Sequence, residues 1–394
     1  MYLTKEEELM LNGEFGEVIS KCMKLLVKLG EIYGAESMVE ISSSQAAGVS
    51  YKSIGEPGLE FLKGFVEEGA KVRVPTLLNP AGMDLDNPDI VSEEFIKKQR
   101  EIIDCFRKMG VVITCSCTPY LIGNLPRYGE HIAWSESSAV VFANSVIGAR
   151  TNREGGPSAL SAAIAGRTPK YGLHLDENRK PDFVVKINAE LEKESDFGAL
   201  GYFIGKTVKN KIPYIDGIKK CDTDTLKSLG AAMAASGGIA LYHIKNITPE
   251  SGKYSDLKLE KIEFTENELK KSYEELTDID TIDLVVVGCP HASLSEIRRI
   301  ADKLKNKKLR NDFWVCTSKS IKIWSDKMDY TKIIENAGGK IICDTCMVVS
   351  PLEELDYKNI GTNSGKAAKY LPGFCKKKVF FSDLDTLIEM SIKK

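Results

Sequence analysis

The run Leu284-Val285-Val286-Val287-Gly288-Cys289-Pro290-His291 carries the reading of the fold. Four consecutive apolar residues, three of them β-branched, suit a strand buried on both faces. Proline close behind ends such a strand, because it cannot donate to a ladder and it stiffens the loop. Outward from this run, residues 295–304 have helical periodicity and Phe313-Trp314-Val315 is a second strand. Residues 321–337 are largely helical, and Lys340-Ile341-Ile342 is a third strand. This β-α-β-α-β order predicts a parallel sheet covered by helices, hence an α/β fold.

The same grammar appears upstream. Thr4-x-x-Glu7 is a capping box that opens a helix. Phe15, Val18, Ile19, Cys22, Leu25, Leu26 and Leu29 form an apolar stripe at helical spacing, with Gly30 positioned as its cap. Strands are expected at 38–41, near 72–78 and at 111–113, with a Ser/Gly loop at 42–50 and helices at 59–66 and 95–106. Between the halves come a strand at 183–187, an Ala-rich helix at 226–235 and a strand at 239–244. A charge-rich stretch at 248–280 follows, with a helix near 266–275. The expected division is α/β domains over 1–180 and 281–394, with a smaller α/β domain inserted over 181–280.

Of 394 residues, 43% are hydrophobic and 28% charged, a globular composition. Lys plus Arg is 54 and Asp plus Glu is 56, so no basic excess marks a nucleic-acid partner. No apolar run approaches the roughly 20 residues that span a bilayer. The N-terminus lacks the pattern of a signal peptide. A cytoplasmic protein is expected, with neither a nucleic-acid nor a membrane partner.

Ten cysteines are too dilute in this chain for a disulfide scaffold. Cys115 and Cys117 follow the strand expected at 111–113, Cys289 follows Val285-Val286-Val287, and Cys343 and Cys346 follow Ile341-Ile342. All five fall at carboxyl ends of strands, where open parallel sheets bind ligands. Three thiolates from separate loops suit an iron–sulfur cluster with one iron free of cysteine. Cys115, Cys117, Cys343 and Cys346 equally suit tetrahedral zinc. Five buried thiols fit as well. Spacing alone leaves these three readings open. Cys22 lies on a core stripe, and Cys105, Cys221, Cys316 and Cys375 lack the convergence and are expected to be core thiols.

Six segments make the sequence recognisable: Gly48-Val49-Ser50-Tyr51-Lys52, Cys117-Thr118-Pro119-Tyr120, Trp134-Ser135-Glu136-Ser137-Ser138, the long stretch from Asn144 to Pro157, Gly288-Cys289-Pro290-His291 and Asp344-Thr345-Cys346. With these, and nearly end to end, the chain resembles the large, catalytic subunit of the aconitase X family. The resemblance implies an aconitase-like fold and an iron–sulfur cluster, 4Fe–4S, held by Cys117, Cys289 and Cys346. Cys115 and Cys343 would be neighbours of it. Substrate contacts would fall on Gly48, Val49, Ser50, Asn79, Pro80, Glu136, Ser137 and Lys366. Ser44-Gln45-Ala46-Ala47 precede Gly48 where a histidine is expected in some relatives, so no role of such a histidine carries over.

The resemblance also implies a hydro-lyase. The archaeal form of the family removes water from (R)-5-phosphomevalonate to give trans-anhydromevalonate 5-phosphate in the mevalonate route to isoprenoids. A separate small subunit would carry the swivelling domain and supply the base, a serine. Some bacterial members have that domain fused and act on cis-3-hydroxy-L-proline, the alternative substrate. This chain has no room for the fused domain, which favours the phosphorylated hydroxy acid. A non-catalytic, zinc-stabilised α/β protein is the remaining alternative, and it would tolerate loss of Cys289.

The residues have plainer readings beside these. Gly48-Val49-Ser50 offers backbone N–H groups in a loop after a strand, suited to an anion, or it is an ordinary loop. Glu136 is a helix-start carboxylate or a substrate-facing acid. Asn79-Pro80 is a turn, or Asn79 donates to a substrate oxygen. Lys366 follows a polar turn where a surface lysine is usual. No role is assigned to Arg150, Arg153, Glu154 or His291.

Overall fold

The run at 284–287 forms the middle of a five-stranded, wholly parallel sheet in the computed structural model, which describes residues 1–88, 91–255 and 257–393. The spatial order is Lys340–Cys343, Asp312–Thr317, Leu284–Val287, Asn359–Thr362, Lys378–Phe381. All four residues of the middle strand are buried. Val285 and Val287 pack with Phe313, Val315 and the helix Leu294–Leu304 on one face. Leu284 and Val286 pack with Trp314, Ile360 and the helix Gly365–Phe374 on the other. The period of two is that of a strand with both faces covered. The order of growth reverses between Leu284–Val287 and Asn359–Thr362, and a ligand crevice belongs at the carboxyl ends beside such a switch point.

The N-terminal unit has a smaller parallel sheet, ordered Thr76–Leu78, Ser44–Ala46, Ala133–Trp134. Its central strand lies inside the stretch expected to be a Ser/Gly loop. Ser-Gln-Ala has little strand propensity. Tertiary bonds supply the order instead: Ser44 Oγ donates to the carbonyls of Ala133 and Ala159, both at 2.9 Å. The strand expected at 111–113 is reduced to one bridge between Leu77 and Val112, with Val112 exposed. Thr4 and Glu7 form the expected capping box. The next helix, Glu17–Tyr33, runs past Gly30 to a left-handed cap at Gly34. Gly30 lies within that helix, where an added Cβ would stand 3.0 Å from the Pro169 side chain.

The middle unit holds four parallel strands in the order His243–Ile244, Pro213–Asp216, Phe183–Ile187, Glu260–Phe264. The strand expected at 239–244 is thus shortened to its last two residues. Helices Glu194–Val208 and Thr223–Gly237 meet backbone to backbone, since a Cβ on Gly237 would stand 2.2 Å from the Gly205 carbonyl oxygen. Trp134, Val140 and Phe142 of the first unit share one apolar core with Phe197, Leu229 and Tyr242 of the middle one.

A buried ion-pair network fastens the same junction. Glu250 accepts from Arg179 at 2.6 Å and from Arg150 at 3.0 Å. Arg150 also pairs with Asp176 at 2.8 Å, so its guanidinium is committed to structure.

Candidate active site between two sheet edges

The first sheet presents its carboxyl edge to the carboxyl edge of the five-stranded sheet. Ser44–Ala46 leads into Gly48-Val49-Ser50, Thr76–Leu78 into Asn79-Pro80, and Ala133–Trp134 into Glu136-Ser137. The segment beyond the Val112 bridge delivers Cys117. From the other side, Leu284–Val287 leads to Cys289, Lys340–Cys343 to Cys346, and Asn359–Thr362 to Lys366. The switch point of the larger sheet therefore lies between the segments bearing Cys289 and Lys366, and Ser364 Oγ donates to the Cys289 carbonyl across it.

The two edges are stitched together. Ser50 Oγ donates to the Val349 carbonyl at 2.8 Å, and Lys52 donates to the Ser350 carbonyl at 3.0 Å and pairs with Glu353 at 2.6 Å. The Ala81 N–H donates to the Asp344 carbonyl at 2.7 Å. Lys366 donates to Glu136.

Glu136 takes the helix-start role and also joins Asn79 and Lys366. It caps the helix Ser137–Phe142, accepting from the Ser138 N–H at 3.2 Å and the Ser138 hydroxyl at 2.8 Å. Its other oxygen accepts from Asn79 Nδ2 at 3.3 Å. Burial opposes its charge, but Lys366 and Ser138 outweigh burial and hold its pKa below the usual range. Burial likewise opposes the charge on Lys366, yet Glu136 and the thiols of Cys289 and Cys117 hold the ammonium pKa above normal. Lys366 is thus a buried cation at a helix start, not a surface lysine. Ser137 opens the Glu136-capped helix, and Pro80 is buried behind Asn79.

Cys117, Cys289 and Cys346 are all buried here. The neighbouring Cys289 thiol lowers Cys346 to about 7, and Cys346 in turn raises Cys289. The N–H groups of Val349 and Val348, and Lys366, further favour the Cys346 thiolate. Burial, and then the charge on Glu136, push Cys117 up to about 12. Cys115 and Cys343 look elsewhere: burial aside, the charges acting on them are those of Asp344, Asp84, Lys319, Lys322 and Arg107. The Cys343 N–H donates to Asp84 at 2.9 Å. Cys316 is the core thiol expected, and Cys346 and Cys117 both act on it. Its place within a strand, rather than behind one, kept it out of the reading by carboxyl ends.

Among the described residues, no three His, Cys, Asp or Glu side chains close on a single ion. A cluster asks for something different, thiolates spread around several irons. Three buried thiols on separate loops beside a buried ammonium suit that demand. Buried polar atoms without a partner lie in the same segments: Asn79 Oδ1, Thr345 Oγ1 and Tyr120 Oη. The residues present fit an iron–sulfur cluster.

Models of the aconitase X first, second and third domains match residues 1–177, 181–274 and 282–393. The chain belongs to the aconitase X family. It is 59% identical to the phosphomevalonate dehydratase large subunit of Methanocaldococcus jannaschii, over 99% of this chain and 100% of that one. The protein of the same description from Thermococcus kodakarensis is 52% identical, over 95% of this chain and 96% of its own. The cis-3-hydroxy-L-proline dehydratase of Pseudomonas aeruginosa is 30% identical, over 98% of this chain but 69% of its own length. The crystal structure of Thermococcus kodakaraensis aconitase X in its holo-form superposes with a TM-score of 0.94 at 50% identity, covering 99% of this chain and 100% of that one. The expected aconitase-like fold is the fold observed.

Proposed function

We propose that this chain is the large subunit of a phosphomevalonate dehydratase, a hydro-lyase that converts (R)-5-phosphomevalonate to trans-anhydromevalonate 5-phosphate and water. One observation carries the reading: relatives of that description match at 59% and 52% identity along essentially their whole length. The hydroxyproline dehydratases are more distant and longer. Among the described residues no helix is long and apolar enough to cross a membrane, and we assign the chain to the cytoplasm with the other enzymes of intermediary metabolism.

The elimination must remove a weakly acidic proton next to a carboxylate and expel a poor leaving group. We assign Cys117, Cys289 and Cys346 to hold a 4Fe–4S cluster. When bound, the cluster supplies a Lewis-acidic iron that polarises a hydroxyl. The chain's own residues do the rest. Lys366, kept charged by Glu136, offers a buried cation to the substrate's anionic groups. Asn79, steered by its bond to Glu136, presents an amide to a substrate oxygen. Gly48-Val49-Ser50, with Gly48 at φ 77°, offers backbone N–H groups to phosphate. Pro80 and Ser137 shape the wall on either side of Glu136. The two stitched sheet edges keep bulk water out, which strengthens each of these interactions. The large-subunit description of the relatives supports a small-subunit partner, to which we assign the base.

The test is an anaerobic assay of the chain with and without its small subunit, following the anhydro product by NMR. Product from the pair and none from this chain alone is the expected result. Turnover by this chain alone would overturn the assignment of the base. A pair that dehydrates cis-3-hydroxy-L-proline and ignores phosphomevalonate would overturn the substrate.

A further inference from the structure

We propose that His291 is a positioning residue that ties the three cysteine loops into one register around the cluster. The inference rests on the cluster reading above and adds a role for a side chain that this reading leaves idle. His291 is fully buried and lies two residues after Cys289. Its Nε2 stands 2.9 Å from the carbonyl oxygen of Thr345, the residue before Cys346. Its Nδ1 stands 3.2 Å from the hydroxyl of Ser116, the residue before Cys117. Its backbone N–H donates to Cys117 Sγ at 3.2 Å. One residue therefore bonds to the loops of Cys117 and Cys346 while belonging to the loop of Cys289.

The partners dictate the tautomer. A carbonyl oxygen can only accept, so Nε2 carries the hydrogen, and Nδ1 is left to accept from the Ser116 hydroxyl. Ser116 is held for that purpose: its oxygen accepts from the Thr118 N–H at 3.2 Å and lies 3.1 Å from the Thr118 hydroxyl. The backbone of His291 is anchored too, since its carbonyl accepts from the buried ammonium of Lys227 at 3.2 Å, and Lys227 is paired with Glu296. The Cys117 loop comes from the first unit and the Cys289 and Cys346 loops from the five-stranded sheet, so the imidazole sets the distance across the cleft between their thiols. Groups in this position around a metal site orient the ligands, and losing them typically costs 10–100-fold in affinity.

The experiment uses the full chain, purified anaerobically and reconstituted with iron and sulfide. It compares wild type with His291→Ala, His291→Gln and Ser116→Ala. Iron and sulfide per chain are measured, then the half-life of the visible cluster absorption in air, and separately the thermal midpoint of the iron-free chains. H291A is expected to lose its cluster about 10-fold faster or more. H291Q, whose amide can still donate to Thr345, should fall between H291A and wild type, and S116A should be several-fold faster than wild type. Half-lives are compared well below every iron-free midpoint, so that any fall in the S116A midpoint from the partner lost by His291 Nδ1 and the Thr118 N–H does not set the rate of cluster loss. Cluster half-lives equal to wild type in both H291A and S116A overturn the proposal. If H291A does not fold, S116A decides: faster loss supports the proposal and a wild-type half-life overturns it. A wild-type chain that takes up neither iron nor sulfide fails at the earlier step and removes the cluster reading itself.

Discussion

Lys366 and Glu136, 230 positions apart in the chain, form a largely buried ion pair across the cleft between the two parallel sheets. Each is the largest favourable influence on the other's charge. Removing one partner leaves the other ionised in a dry site, which costs about 3–5 kcal/mol, whereas removing both together is far cheaper. Lys366→Met should therefore destabilise the chain by that amount in denaturant titration. The Lys366→Met/Glu136→Gln double variant should recover most of the loss. Neither should recover activity in the pair with the small subunit: kcat/KM should stay at least about 100-fold down, because the cation assigned to position substrate is gone.

The thiols divide into two groups by what surrounds them, and substitution should reveal the division. Cys117→Ser, Cys289→Ser and Cys346→Ser should each abolish or greatly reduce iron and sulfide per chain after anaerobic reconstitution. Cys115→Ser and Cys343→Ser should load as wild type, since the charges acting on them are Asp344, Asp84, Lys319, Lys322 and Arg107. A loaded Cys289→Ser protein would contradict the ligand assignment directly.

Gly288 has φ 89°, and a Cβ there would stand 2.1 Å from the carbonyl oxygen of Cys316. Left-handed backbone alone costs an ordinary residue about 1–2 kcal/mol, and the contact with a strand carbonyl adds to it. Gly288→Ala should lower stability by more than about 2 kcal/mol and displace the Cys289 loop. The loss should show as a reduced unfolding midpoint together with poor iron loading. An alanine variant with wild-type values for both would mean that the strand end relaxes freely.

Acid should loosen the middle unit. His243 is buried, donates from Nε2 to the Arg179 carbonyl at 2.8 Å, and is pushed by burial from 6.5 down to about 4. The unfolded chain takes up this proton first as pH falls. The stability is therefore complete above about pH 6.5 and is lost progressively as pH falls through about 4. At roughly 1.4 kcal/mol per unit, His243 accounts for about 3 kcal/mol over that window. His174, pushed down to about 3 by burial, acts in the same sense. Denaturant midpoints measured from pH 7 to pH 4 should fall, and His243→Gln should give a shallower slope than wild type.

What the sequence disclosed follows from how local each cause is. Leu284–Val287 was legible because burial on both faces writes itself into four adjacent residues. The helix Leu294–Leu304 was legible because its face repeats within two turns, and Ser293 caps it with Glu296. Ser44–Ala46 was not, because its order comes from strands and a helix far along the chain. Lys366 reads as a surface lysine until the fold delivers Glu136 to it. The cysteine loops were found from their place behind strands, and Cys316, within one, was read as a core thiol. The role of His291 depends on Ser116 and Thr345 arriving together, which only the tertiary fold arranges.

More than half of the chain lies between Cys117 and Cys346, and the entire middle unit is made in that interval. The edge that bears Lys366 is made later still. A nascent chain emerging from the ribosome therefore carries Cys117 long before Cys289 and then Cys346 are made. Assembly of the proposed centre then belongs to the finished polypeptide, since iron delivered earlier would find an incomplete set of the assigned cysteines.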